Sequence, residues 1–377
     1  MQERPKIGIL CTMINAFGRK GFYNSQEIGL GRALEKKGYD VTIYKGVEKG
    51  SGFEINNINE HLKIMYIPLK KLGAHGWFNP EMIEKGTEGI LCFSDNQQFI
   101  PHIYKYCKKE GIVFVPYVGT AHSLHSGFHA KVMDSAFHMG TMQIYKKIPV
   151  LVKTESAALE LNNLGITSTI LAPVGLDMDS MHSTFRDEDR DAIREELGYS
   201  PEDVVILNVA RMDPEKRPLD LIDIFDDIKN KKQFKLMIVG EGDLSVEVRR
   251  RVRYLDLQSR VNLISRIPYD QMWKAYVAAD YFVNLNKGEI FGMAIMEAVY
   301  YETSVAASMA LGPKLTLKDK PGHKLCNNDM EMKKWLISKY PSYEDLHESS
   351  LKAIKDYSWD RCADAFLNVV HAMKEGV

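Results

Sequence analysis

In the stretch KGEIFGMAIMEA, residues 287–298, Glu289 precedes Gly292 and Glu297 follows it. A carboxylate is a two-oxygen acceptor, so Glu297 suits the paired hydroxyls of a ribose and Glu289 the hydroxyls of a sugar. Gly292 lets backbone approach a ligand closely. A helix that begins there offers the N–H groups of Phe291, Gly292 and Met293 to an anion or a hydroxyl. Upstream, Arg211 and Lys216 in ARMDPEKRP follow the strand-like run VVILNVA. A guanidinium that forks two oxygens and an ammonium that adds a point charge suit a diphosphate. Taken singly, DPEK is turn and helix-start chemistry, and acids at this spacing are usually solvated. Together in one α/β segment they describe a nucleotide-sugar site: a carboxylate at each end, cations and amides on the diphosphate between.

Such a set has to be held at the ends of strands. Short apolar runs (KIGILCTM, VTIYKG, GILCFS, IVFVPYVG, IPVLVKT) alternate with helix-period segments such as SQEIGLGRALEKKGYD and FIPHIYKYCKKEG. The order repeats after residue 200 with DVVILNVA, FKLMIVG, VNLIS, YFVNLN and TSVAAS. Between Pro218 and Asn230, Leu221, Ile224, Phe225 and Ile228 fall on one helical face. This alternation predicts α/β architecture: two doubly wound, Rossmann-like domains, each with a parallel sheet, facing a cleft. ILAPVGLDMDS reads as the linker, giving domains over 1–172 and 173–357. A final helix over about 358–377 carries Cys362, Phe366, Val369, Val370 and Met373 on one face and packs back on the first domain.

Composition narrows the class. The chain has 377 residues, 45% hydrophobic and 26% charged, and no apolar run long enough to span a bilayer. The N-terminal MQERPKIGILCTM lacks the form of a signal peptide. The five cysteines (Cys11, Cys92, Cys107, Cys326, Cys362) are scattered without CxxC spacing, which fits a reducing cytoplasm and argues against a zinc site. Net charge is −1, split between +5 over residues 1–175 and −6 over the rest. The basic half allows contact with an anionic substrate or, peripherally, the inner face of a membrane. Balanced charge without a basic-aromatic motif excludes nucleic acid.

NVARMDPEKRP, LMIVGEGD and NLISRIPYDQMWKAYVAADYFVNLNKGEIFGMAIMEAV together resemble the retaining glycosyltransferases of the GT-B fold, closest to glycosyltransferase family four. The resemblance extends more weakly to IGLGRALEKKGYDVTIYKG, ILAPVGLD and YSWDRCADAFLNVV. It implies that the second domain binds a nucleoside diphosphate sugar and the first an acceptor. By position, Arg211 and Lys216 would hold the diphosphate, Glu289 the donor sugar and Glu297 the ribose. Phe291, Gly292 and Met293 would offer amides. Gly240, Arg266 and Ile267, and the loop glycines Gly18 and Gly21, would join the donor site. His122 in YVGTAHSLH would lie beside the donor sugar as a catalytic-site residue with Arg211, Lys216 and Glu289. His125, His129 and His138 are its neighbours in sequence, and no acid or cysteine completes a metal set with them.

Two departures from the pattern stand out. Gly18 and Gly21 are separated by RK rather than adjacent, and MALGPKLTLKD replaces paired glycines and an acid. The DMD at Asp177–Asp179 resembles the metal motif of the other glycosyltransferase fold but sits in the linker, out of context. The expectation is therefore a metal-independent, retaining hexosyltransferase that needs no cofactor. Its donor is by default a UDP-sugar. Its acceptor is a sugar, a lipid-linked group or a small molecule, in bacterial polysaccharide, glycolipid or glycoconjugate synthesis. The competing readings are an epimerase on the same twin domains and a catalytically silent nucleotide-binding partner.

Overall fold

Continuous apolar runs form the central strands, as parallel sheets buried on both faces require. The computed structural model describes residues 4–14, 26–72, 75–95, 99–121, 135, 137–182, 190–230 and 233–376. The chain forms two units, Met1–Asp177 with Tyr357–Val377, and Met178–Asp356.

The first unit holds strands β1 (Lys6–Cys11), β2 (Asp40–Glu48), β3 (Glu54–Asn57), β4 (Leu62–Leu72), β5 (His75–Trp77), β6 (Thr87–Phe93), β7 (Val113–Val118), β8 (Val150–Val152) and β9 (Thr169–Leu171). They form one sheet in the order β3-β4-β2-β1-β6-β7-β8-β9, with β5 on β4. The sheet departs from the wholly parallel one expected, because β3 and β5 run antiparallel to β4. A tight return in which the Ile58 and Asn59 amides both donate to the Leu62 carbonyl turns the chain straight back, leaving no room for a crossover helix. The helices are α1 (Gln26–Lys36), α2 (Ile100–Lys109), α3 (Thr141–Tyr145) and α4 (Glu155–Asn163), the last capped by Thr154, whose side chain accepts the Ala157 amide at 3.1 Å. Leu10, Ile90, Phe114, Val118 and Val150 lie in its core.

The second unit carries α5 (Arg190–Glu196), β10 (Val204–Val209), α6 (Pro218–Ile228), β11 (Phe234–Val239), α7 (Ser245–Tyr254) and β12 (Val261–Ile264). There follow α8 (Met272–Ala278), β13 (Tyr281–Asn284), α9 (Met293–Tyr300), β14 (Ser304–Ser308), α10 (Leu311–Thr316), β15 (Lys324–Cys326), α11 (Asp329–Ile337) and α12 (Tyr343–Asp356). Its strands pair in parallel in the order β12-β11-β10-β13-β14-β15, the doubly wound order in which direction reverses between β10 and β13. Leu221, Ile224, Phe225 and Ile228 of α6 are buried against it, as their period predicts.

The last helix, α13 (Trp359–Glu375), returns to the first unit, where Cys362, Phe366, Val369 and Val370 are buried. Met373 is not: it sits in the last turn and is 40% exposed, against the expectation that it shares the buried face. The division between units falls at Asp177, past residue 172. Asp177 is buried and pairs with Arg32 of α1 at 2.5 Å, and Leu176 bridges to Ser358, so the end of the linker stays with the first unit. Among the described residues, no helix is long and apolar enough to cross a membrane.

Candidate functional site

The strand order of the second unit puts two loops side by side: the one leaving β10 and the one leaving β13. Open α/β sheets bind ligands at such a reversal, beyond the carboxyl ends of the strands. The β10 loop carries Arg211 and Lys216, and the β13 loop carries Glu289.

Lys216 and Glu289 meet there. Lys216 Nζ lies 3.2 Å from Glu289 Oε2, with side chains 26% and 17% exposed. The same oxygen accepts from Asn286 Nδ2 at 3.1 Å and from Asn284 Nδ2 at 3.4 Å. Arg211 is placed differently. Its side chain is 66% exposed and its guanidinium donates to the buried carboxylate of Asp213. Asp213 in turn accepts the Asp243 amide at 3.2 Å. The sequence reading missed this partner, which holds the guanidinium itself by two of its nitrogens while the side chain stays mostly exposed.

Glycines set the backbone spacing around these charges. A Cβ on Gly240, whose φ is +147°, would stand 1.9 Å from the Ala210 carbonyl oxygen, and one on Gly242 would strike Met212 and Asp213. The GEGD loop therefore lies directly against the loop of Arg211. Arg266, beyond β12, is exposed and reaches Glu241 of this loop at 3.5 Å, and Ile267 beside it is part-buried. Gly292 takes φ +86°, a left-handed geometry, and caps the N-terminus of α9, whose first residue is Met293. Phe291 is buried just before it. The departure at MALGPKLTLKD has a structural meaning. Gly312 donates its amide to the Glu289 carbonyl at 2.8 Å, and a Cβ there would stand 2.6 Å from the Phe291 nitrogen. The start of α10 thus backs the loop that presents Glu289.

Glu297 sits within α9, buried, and accepts from the Tyr276 hydroxyl at 2.7 Å. Burial, reinforced by the Glu297 charge, raises the Tyr276 phenol well above its usual range, so it remains a donor. Glu297 lines a cavity of about 200 Å³ with Met181, His182, Trp273, Tyr276 and Tyr301. His182 stacks on Trp273 at 3.9 Å between ring centroids. Tyr276 carried no signal in the sequence beyond its place on the apolar face of α8.

Gly18, Gly21 and His122 fall outside the described residues, as do His125 and His129. His138 is described, and its backbone carbonyl accepts from Gln143 at 3.2 Å. Asp177 of the DMD stretch spends its carboxylate on Arg32. The five cysteines are free and buried.

The profile of the family described as Glycosyl transferases group 1 matches residues 189–365, the span that contains Arg211, Lys216, Glu289 and Glu297. Residues 189–365 are thus similar in sequence to the group 1 glycosyl transferases. Among curated relatives, a D-inositol 3-phosphate glycosyltransferase of Segniliparus rotundus is 26% identical over 55% of this chain. That alignment covers 47% of the relative, so the chain matches about half the length of that protein. Among solved structures, sucrose-phosphate synthase from Thermosynechococcus elongatus aligns over 99% of this chain and 100% of its own, with TM-score 0.72 and 17% identity. The Anabaena protein HepE in complex with UDP-glucose aligns over 98% and 99%, with TM-score 0.67 and 14% identity. At these identities the structures establish fold. It is the GT-B fold that the sequence implied, and the profile match falls mainly on the second Rossmann-like unit.

Proposed function

We propose that this protein transfers a hexosyl-type group from a nucleoside diphosphate sugar, a UDP-sugar by default, to an acceptor hydroxyl. The stereochemistry proposed is retention at the anomeric carbon. The observation that carries the reading is the meeting of Lys216 with Glu289 at 3.2 Å where the strand order reverses. An anion-binding cation and a hydroxyl-binding carboxylate stand together where a sugar diphosphate would need both. The structure of HepE with UDP-glucose supports the choice of base.

In this reading Arg211, Lys216 and the first amides of α9 take the charge that grows on the leaving diphosphate. Glu289 holds a donor-sugar hydroxyl and Glu297 the ribose hydroxyls, with Gly240, Arg266 and Ile267 around the nucleotide. The departing phosphate oxygen takes the proton of the attacking hydroxyl on the same face, so no protein nucleophile and no metal enter the step. The first unit reads the acceptor, which is a sugar, a lipid-linked group or a small molecule. The net positive charge of residues 1–175 is suited to a peripheral stay at an anionic membrane.

A panel of nucleoside diphosphate sugars, scored for release of free nucleoside diphosphate with and without EDTA, tests this. Slow hydrolysis of one sugar nucleotide, unchanged in chelator, is expected. Activity lost in EDTA and restored by manganese or magnesium would overturn the metal-free step. Interconversion of sugar nucleotides without nucleotide release would favour an epimerase, and inertness towards the whole panel a silent binding partner.

A further inference from the structure

Among the described residues, every hydrogen bond to the Glu289 carboxylate falls on a single oxygen. Asn286 Nδ2, Lys216 Nζ and Asn284 Nδ2 reach Oε2 at 3.1, 3.2 and 3.4 Å. The two amides are themselves locked. Asn284 Oδ1 accepts the Asn286 backbone N–H at 2.9 Å, and Asn286 Oδ1 accepts the Gly288 N–H at 3.0 Å. With each amide oxygen committed to a backbone donor, the nitrogen end must face the carboxylate. Both asparagines are 6% exposed, so a flipped amide would bury unmatched groups.

We propose that Asn284 and Asn286 are positioning residues for Glu289: they clamp Oε2 so that Oε1 is presented to a hydroxyl of the donor sugar. The inference rests on the donor reading above and adds a division of labour to it. Lys216 is the one charged group of the three. When a diphosphate arrives, its ammonium turns to the phosphate, and the neutral amides keep the carboxylate oriented without competing for the ligand's charge. Pure charge pairing would let Glu289 follow the lysine.

The test uses the full chain and the sugar nucleotide that the wild type hydrolyses fastest. Turnover is compared with the affinity of the matching bare nucleoside diphosphate in Glu289→Gln, Asn286→Ala and Asn286→Asp. Loss of a hydrogen bond to a charged group corresponds to roughly 10- to 150-fold. Asn286→Ala should therefore lower kcat about tenfold or more, with bare nucleotide affinity within about twofold of wild type. Asn286→Asp keeps the acceptor for Gly288 but sets a second carboxylate against Glu289. Its turnover should fall further at neutral pH and recover as pH drops towards 5, a profile Asn286→Ala would not show. If Glu289→Gln abolishes turnover while both Asn286 variants stay within twofold of wild type, the clamp is refuted and the donor site stands. An Asn286→Ala variant that weakens the bare nucleotide as much as it lowers turnover also refutes it. Should Glu289→Gln turn over normally, the donor reading itself fails and the clamp with it.

Discussion

The Tyr276 hydroxyl donates to Glu297 Oε2 at 2.7 Å, joining α8 to α9 through one buried hydrogen bond. The bond engages one carboxylate oxygen and fixes the torsion of the other. If Glu297 holds the ribose, Glu297→Ala should weaken a bare nucleoside diphosphate by roughly 10- to 150-fold, the scale for a charged hydrogen bond. Tyr276→Phe, which loses only the orienting hydroxyl, should weaken it less, by about threefold to tenfold. Calorimetry with UDP reads both. Equal affinities in wild type and Glu297→Ala would remove the ribose from this carboxylate.

Lys216 and Arg211 should not behave alike. Lys216 is partly enclosed and already faces the carboxylate of Glu289, whereas Arg211 is mostly exposed and its guanidinium is already paired with Asp213. Enclosed charges are screened less by water. Lys216→Ala should therefore cost on the order of 10²-fold or more in transfer, and Arg211→Ala nearer tenfold. Steady-state rates at two ionic strengths would check this, since only the Arg211 contribution should fade appreciably with salt. Turnover within threefold of wild type in both variants would take the diphosphate away from this loop.

The parts legible in the sequence were those with a period or a charge. Leu221, Ile224, Phe225 and Ile228 announce α6 because a buried helix face must repeat every three to four residues. Arg211, Lys216, Glu289 and Glu297 mark a candidate site only as a set, since each alone has an ordinary structural reading; the fold adds the meeting of Lys216 with Glu289. Asn284 and Asn286 do not stand out: in VNLN they read as ordinary strand-end polar residues, and only the fold shows their amides turned to Glu289. The pairing of β3 and β5 with β4 was equally silent, since EINN and HGW are too short to display alternation. Met373 repeats the apolar period of α13 but lies in its last turn, where it is exposed. Period marks a face, not the length over which that face is covered.

Gly312 offers a way to move the Glu289 loop without touching a charged group. Its φ is ordinary, but an added Cβ would meet the backbone at Phe291 N, Ile290 C and Glu289 O within 2.6–2.9 Å. Backbone cannot swing aside as a side chain can, so Gly312→Ala should displace the loop by a few tenths of an ångström or more. Misplacement on the scale of 1 Å costs reactions on the order of 10²-fold. Transfer should fall by about that order while the far-ultraviolet circular dichroism spectrum stays that of the wild type. Undiminished transfer would show that the loop tolerates the shift and that its position is not critical.

His323 gives the second unit an acid-sensitive joint. Its Nδ1 accepts the backbone N–H of Val305 in β14 at 3.0 Å, and among the described residues its buried Nε2 has no hydrogen-bond partner. Burial, helped by the nearby Lys320 ammonium, lowers the imidazole to about 3 from an ordinary 6.5. The folded chain thus keeps this histidine neutral, whereas the unfolded chain protonates it below about pH 6.5. The stabilisation is complete above pH 6.5 and is lost progressively as pH falls from there to about 3. At about 1.4 kcal/mol per pH unit, roughly 2 kcal/mol should go between pH 6.5 and 5. In His323→Asn the amide oxygen can still accept from Val305 but does not titrate. The melting temperature of the wild type should therefore drop more steeply over that interval than that of the variant. Parallel curves would mean that the ring charges in the folded state at no cost, and that the Val305 contact does not depend on a neutral imidazole.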